Sequence, residues 1–159
     1  MDRLPIDALQ NCIFNRLDFL MQIRLRQVCK WFYRLEIHDM YNIDSKYCRK
    51  LTDNILINHP SVRYLDASNN PKITDVNHMT KLQKLEADGN YGINNDGIKR
   101  VNLIELDAYD NPKITDINHM TKLQKLNAGW DCGINDDGIK HVNLIELEAF
   151  GNPKITRKI

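Results

Sequence analysis

The sequence of 159 residues contains little that would support catalysis or a membrane anchor. Glycine occurs only 7 times, and there is no glycine-rich phosphate loop, Gly-x-Ser-x-Gly elbow or His-Glu-x-x-His motif. The longest apolar runs are short pieces such as Ile55 to Ile57, well below the length of a signal peptide or a membrane span. We therefore expect a soluble, intracellular protein that is not an enzyme and needs no cofactor or metal.

Cysteine is also scarce and is poorly spaced for a structural role. Cys12, Cys29, Cys48 and Cys132 form no Cys-x-x-Cys pair, which favours reduced thiols over a zinc site or a disulfide framework. The formal net charge is only +1, so no overall field attracts nucleic acid or an anionic membrane. We expect neither of these as a partner.

Internal repetition is the most informative property of the chain. The segment LDASNNPKITDVNHMTKLQKLEA begins at Leu65 and recurs from Leu106 and, in part, from Leu147, each time at an offset of 41 residues. A weaker copy inside each block reduces the repeating unit to 20 or 21 residues. Five units follow, starting at Val62, Leu82, Leu103, Leu123 and Leu144.

Each unit places apolar residues at its first, fourth and sixth positions. The sixth is always alanine, and the ninth is asparagine in four units and Asp131 in the other. Because alternate strand residues point the same way, we expect short strands that bury positions four and six and stack into a parallel sheet of about five strands. The pattern resembles the leucine-rich repeat, L-x-x-L-x-L-x-x-N-x-L. That resemblance implies a short solenoid with a concave parallel sheet over residues 62–159.

Two pairs of polar residues are copied by the repeat. His78 and His119 are equivalent, as are Asp75 and Asp116. Such copies could imitate a metal or acid–base site, but duplication of one loop is a sufficient cause. We therefore expect no catalytic or metal role for them.

Residues 4 to 34 have helical periodicity, with Leu9, Ile13 and Leu17 on one apolar face. Leu4-Pro5 is followed by Ile13-Phe14-x-x-Leu17 and then by Val28-Cys29, close to the aromatic Phe32. This order resembles the F-box. It implies an α+β chain with an F-box-like helical segment over 1–40, a connector or start of the array over 41–61, and the repeats beyond.

The F-box resemblance also implies a contact surface for a Skp-type adaptor. Matched onto this chain, its residues are Leu4, Pro5, Leu9, Ile13, Leu17, Leu20 and Val28. The alternative interpretation is that these apolar residues form a cap on the repeat core.

An F-box joined to leucine-rich repeats resembles the substrate-recognition subunits of cullin-RING (SCF-type) ubiquitin ligases. The implied partners are a Skp-type adaptor with its cullin complex and an unknown protein substrate. A stand-alone leucine-rich-repeat scaffold and an adaptor decoy without a role in ubiquitination remain as alternatives. The compact organisation is similar to proteins encoded by large DNA viruses of amoebae, which implies a location in the cytoplasm, there the host's, with the nucleus as the alternative.

The substrate site is expected on the outward strand positions three, five and seven. Acids dominate the fifth position, and aromatic residues gather near the strand ends of the last three units, where they would favour an interface. We expect Trp130 to be the central anchor and the acids to attract a basic or mixed-charge segment. The alternatives are an ordinary solvated face and lateral packing of the aromatics over Gly129 and Gly151. The candidate residues are Asp66, Glu86, Asp107, Tyr109, Trp130, Glu148 and Phe150.

Overall fold

The structure, a computed structural model, describes residues 21–22, 24, 36–40, 48–89 and 91–159. Within them the fold is α+β, with one six-stranded parallel sheet whose strands follow the chain order. The helical elements are short: α1 (Asp53–Leu56), α2 (Asn95–Ile98) and a 3₁₀ helix (Asp137–Ile139). The strands are β1 (Asp39–Met40), β2 (Tyr64–Asp66), β3 (Lys84–Glu86), β4 (Glu105–Asp107), β5 (Lys125–Asn127) and β6 (Glu146–Glu148).

The strand register follows the sequence repeat. Equivalent leucines at the fourth position pair across the sheet, from Leu65 through Leu85, Leu106 and Leu126 to Leu147. The predicted parallel sheet and its register are therefore confirmed. The strand count of about five is one too low, because Asp39 and Met40 pair with Tyr64 and Leu65 as an additional strand.

The adaptor-contact residues predicted from the sequence lie outside the described part of the chain. These are Leu4, Pro5, Leu9, Ile13, Leu17, Leu20 and Val28. No helix in the described ranges has both the length and the apolar character needed to cross a membrane.

The core is built from the leucines and alanines of the repeat. The fourth-position leucines of β2 to β5 and the sixth-position alanines beside them are buried, whereas Leu147 in β6 is only partly buried. Between units the chain returns through tight turns: Met79 N–H donates to the Val76 carbonyl, and Leu82 N–H donates to the Met79 carbonyl, both at 3.0 Å. Val76, Met79 and Leu82, which are three residues apart, thus lie in successive turns.

Ninth-position asparagines satisfy buried backbone groups of the preceding unit. Asn111 is fully buried, and its Nδ2 donates to the carbonyls of Ala87 and Ile93 at 3.1 and 3.5 Å. Its Oδ1 accepts the N–H of Lys113 at 3.0 Å. Asn70 and Asn152 bond in the same way. Buried carbonyls without donors are unfavourable, so these side chains fasten one unit to the next.

Replacing Asn111 with alanine should therefore lower the free energy of unfolding by about 1–3 kcal/mol, because buried backbone groups lose their partners. Urea unfolding monitored by circular dichroism measures this. The matched control is Asp131→Ala, at the same unit position but exposed, where we expect a change within about 0.5 kcal/mol. Equal effects at the two positions would contradict the fastening role of Asn111.

A second row of hydrogen bonds joins the units on the side away from the strands. Asp53 accepts the N–H and hydroxyl of Thr74 at 2.8 and 2.6 Å, and Asp136 accepts those of Thr156 at 3.0 and 2.6 Å. The Thr156 hydroxyl and the Arg157 N–H lower the pKa of Asp136. These contacts lie in solvent, so they define the geometry of the turns more than they stabilise the fold.

Candidate binding surface

The outward face of the sheet carries the third- and fifth-position side chains. Leu85, Leu106 and Leu126 point into the core, so the residues on either side of them point away from it. Together they line a shallow depression of about 220 Å³ across β3 to β6. Its polar lining residues are Lys84, Glu86, Glu105, Asp107, Lys125, Asn127, Glu146 and Glu148.

The third-position column neutralises itself through cross-strand ion pairs. The Nζ of Lys84 lies 3.5 Å from Glu105, and the Nζ of Lys125 lies 2.8 Å from Glu146. The hydrogen bond that Lys125 donates to Glu146 raises the pKa of Lys125. Because lysine and glutamate alternate along this column, it contributes little net charge to the surface.

The fifth-position column retains an excess of negative charge. Asp66 and Asp107 each accept the backbone N–H two residues ahead, at 2.9 Å from Ser68 and 2.9 Å from Tyr109. Asn127 does the same for Gly129 at 3.2 Å. These short side chains therefore also close the strand ends. An amide in the same place closes the strand equally well, so the negative charge is additional to that structural role.

Asp88 is a further acid of this surface that the sequence interpretation did not select. Burial raises its pKa first, and the negative charges of Asp107, Asp110, Glu86 and Asp66 raise it further. The signal was present in the sequence, since Asp88 occupies the outward seventh position of its unit. The raised pKa therefore reflects burial first and, after it, the negative charge around the ends of β2 to β4.

The eighth position of every unit adopts a left-handed backbone conformation. Glycine, asparagine and aspartate tolerate positive φ, whereas a bulky residue there is strained by about 1–3 kcal/mol. Four units have a tolerant residue, and the fourth unit has tryptophan. The residues are Asn69, Gly89, Asp110, Trp130 and Gly151, with φ between 51° and 76°.

Trp130 is 53 % exposed and Phe150 is 82 % exposed. The ring of Trp130 lies 3.6 Å from the point where a Cβ on Gly151 would stand, and the ring of Tyr109 lies 3.1 Å from the corresponding point on Gly129. Lateral packing over these glycines is therefore present, as one alternative predicted. Such packing covers only part of the aromatic surface, because much of Trp130 and most of Phe150 still face solvent.

The structure brings some of the candidate residues together and separates others. Asp107, Tyr109, Trp130, Glu148 and Phe150 belong to the last three strands or to the turns that follow them. Neighbouring strands are about 4.8 Å apart, so Asp66 on β2 is roughly 14 Å from β5. Glu86 lies between these groups. The candidate surface is therefore a strip whose acids extend from β2 to β6 and whose aromatics lie toward β6.

Three of the four repeat-equivalent polar residues, Asp75, Asp116 and His119, have hydrogen-bonding partners, whereas the buried Nε2 of His78 has none among the described residues. Asp75 accepts the N–H and Nδ2 of Asn77 at 2.8 and 2.7 Å, and Asp116 bonds Asn118 in the same way. The Nε2 of His119 lies 3.0 Å from the Ile98 carbonyl. Among the residues that the structure describes, no three metal-binding side chains form a group.

The two cysteines in the described ranges, Cys48 and Cys132, are buried. Burial raises the pKa of Cys132 to about 11. A thiol with that pKa is protonated near neutral pH and is a poor nucleophile.

No protein-family model matches the chain, and no curated protein matches it significantly. The features that indicate a function are therefore the sequence pattern at the N-terminus and the charged and aromatic strip on the sheet.

Proposed function

We propose that this chain is a non-catalytic receptor subunit of a cullin-RING (SCF-type) ubiquitin ligase. Its F-box-like segment holds a Skp-type adaptor, and its leucine-rich repeats hold the protein to be modified. Support for the adaptor contact comes from the run of Leu4-Pro5, Ile13-Phe14-x-x-Leu17 and Val28-Cys29. The observation that carries the substrate contact is Trp130, which is both exposed and conformationally strained.

The strain at Trp130 supports a role in binding rather than in folding. Other units use asparagine, glycine or aspartate at this position, and each of these adopts the same backbone conformation at lower energy. A strained residue persists where its side chain serves another purpose. Tryptophan is one of the residue types enriched among interface anchors, and Phe150 adds apolar surface beside it.

The charges beside Trp130 favour a basic partner segment. The third-position ion pairs cancel, whereas Asp66, Glu86, Asp107 and Glu148 leave the fifth-position column acidic. A cation of the partner is attracted electrostatically by these acids during approach. On contact it is also attracted by the face of the indole ring. The substrate class that fits is therefore a protein segment with lysine or arginine next to an apolar residue.

Replacing Trp130 with asparagine should weaken partner binding by about 2 kcal/mol, or roughly thirtyfold in Kd, because the anchor is lost. Stability should stay constant or rise by up to about 1 kcal/mol, because asparagine tolerates the left-handed backbone. The measurements are a titration with the protein captured by the immobilised wild-type chain and urea unfolding of both proteins.

The control variant is Ile57→Asn, which removes a similarly exposed apolar side chain that lies away from the sheet. It should bind the partner as the wild type does. If Trp130→Asn bound normally, the site would lie elsewhere on the chain. A marked loss of stability in Trp130→Asn would instead assign the tryptophan to packing.

A further inference from the structure

The outer edge of β6 presents backbone groups that are paired on the inner strands. In each of four units the sixth-position N–H donates to the fifth-position carbonyl of the next strand, as Ala108 does to Asn127 at 2.8 Å and Ala128 to Glu148 at 2.7 Å. The corresponding residue is Ala149, directly after β6, and β6 is an edge strand of the described sheet. In the described sheet this N–H therefore lies on the outer side of an edge strand, where a carbonyl of an added strand can accept it.

A matching acceptor lies at the start of the same strand. The second-position carbonyl of Ile104 accepts the N–H groups of Gln124 and Lys125 at 2.9 and 3.2 Å. The Gln124 carbonyl accepts from Ile145 and Glu146 at 2.8 and 3.0 Å. The Ile145 carbonyl occupies the equivalent place in β6. Donor and acceptor thus stand at the spacing that a parallel strand requires.

Apolar side chains are exposed along this edge. Leu147 is only partly buried, whereas its equivalent in β5, Leu126, is 2 % exposed. Ile145 is 71 % exposed, and Phe150 at the end of the strand is also open to solvent. A strand added here would cover the last leucine of the core as each inner strand covers the one before it.

The charges of β6 define which strand fits. Its sequence Glu146-Leu147-Glu148 repeats the order acid, leucine, acid of β4, Glu105–Asp107. The strand that lies on the outer side of β4 is β5, Lys125–Asn127. Within it, the positive charge of Lys125 interacts with Glu105, and the Nδ2 of Asn127 donates to Asp107 at 3.2 Å.

We propose that the outer edge of β6 binds an extended segment of a partner protein by parallel strand addition. The segment carries a basic residue, an aliphatic residue and an amide or second basic residue at consecutive positions, beside Glu146, Leu147 and Glu148. A second copy of the chain fits poorly, because an antiparallel pair of β6 strands centred on Leu147 sets Glu146 against Glu148. This site shares Glu148 and Phe150 with the Trp130 surface, but it does not involve the Trp130 side chain and does not depend on adaptor binding.

The chain itself supplies the probe, a labelled peptide with the sequence of residues 122–129, KLQKLNAG. Fluorescence anisotropy with the 159-residue chain should show saturable binding. Methylation of the peptide nitrogen that corresponds to Gln124 should weaken binding by about tenfold or more, because that N–H would donate to the Ile145 carbonyl. A Lys125→Glu peptide should also bind at least about tenfold more weakly, since it faces Glu146.

Two protein variants complete the test. Glu146→Lys should prefer the Lys125→Glu peptide over the original, and Trp130→Asn should bind the original peptide as the wild type does. Failure of the wild type to bind, or equal binding of the methylated and unmethylated peptides, would overturn the proposal. The glutamates would then serve only to keep an open strand edge from aggregating. Loss of binding in Trp130→Asn would overturn it as well, by assigning the peptide to the other surface.

Discussion

Replacing Leu106 with alanine is expected to lower the free energy of unfolding by about 2–5 kcal/mol. Leu106 is the fourth-position leucine of β4, is 2 % exposed, and pairs in register with Leu85 on one side and Leu126 on the other. Truncation removes apolar contacts and leaves a cavity between the two neighbouring units, each of which contributes one fourth-position leucine to this part of the core. Because each unit is stabilised mainly by its neighbours, the loss should spread to the adjacent units.

Urea unfolding followed by circular dichroism measures this effect. The matched control is Leu147→Ala, the equivalent leucine of β6, which is only partly buried and should be less sensitive. A change below about 0.5 kcal/mol for Leu106→Ala would place that side chain outside the core and contradict the strand register.

Joint replacement of Leu4 and Pro5 with alanine is expected to abolish capture of a Skp-type adaptor. These two residues open the F-box-like pattern, and the apolar residues that follow are spaced as a helical contact surface. Interface energy is concentrated in a few apolar anchors, so the loss of two should be decisive. Co-purification of the adaptor with the tagged chain measures the result.

The matched control for the adaptor experiment changes two charged residues of the same segment, Asp2→Ala and Asp7→Ala together. Adaptor capture should persist in that variant, and both double variants should unfold at the urea concentration of the wild type. Normal capture by the variant that lacks Leu4 and Pro5 would remove those residues from the adaptor contact.

The repeat made most of the sheet predictable from the sequence. An offset of 41 residues, divided into two units, is enough to align Leu65, Leu106 and Leu147 with one another. Strand alternation then separates the buried fourth and sixth positions from the outward ones. The parallel register and the burial of the alanines follow from these two facts, because each unit can bury its apolar residues only against a neighbouring copy.

The first strand could not be found in the same way. Asp39 and Met40 have no copy elsewhere in the sequence, and two residues are too few for a periodic pattern to be recognised. The pairing of this strand with Tyr64 and Leu65 is a tertiary interaction. The ends of the turns were similarly hard to predict, because the short helices occur in some units and not in others.

The candidate surface was predictable in composition but not in conformation. Outward acids and aromatics could be read from their columns, and Asp88 could have been found in the seventh column. The strain at Trp130 could be recognised only from the backbone dihedral angles. The sequence did show that tryptophan replaces asparagine, aspartate or glycine only in the fourth unit. The one unusual residue at an equivalent repeat position is therefore as informative as the residues that the other units share there.

The most direct test of the proposed receptor role uses the purified wild-type chain and a purified eukaryotic Skp-type adaptor bound to its cullin. The two are mixed and separated by size-exclusion chromatography. We predict a single complex that contains the chain, the adaptor and the cullin, and that does not form with the Leu4→Ala, Pro5→Ala variant. A folded wild-type chain that elutes apart from the adaptor complex at every concentration would contradict the receptor role and favour a stand-alone binding scaffold.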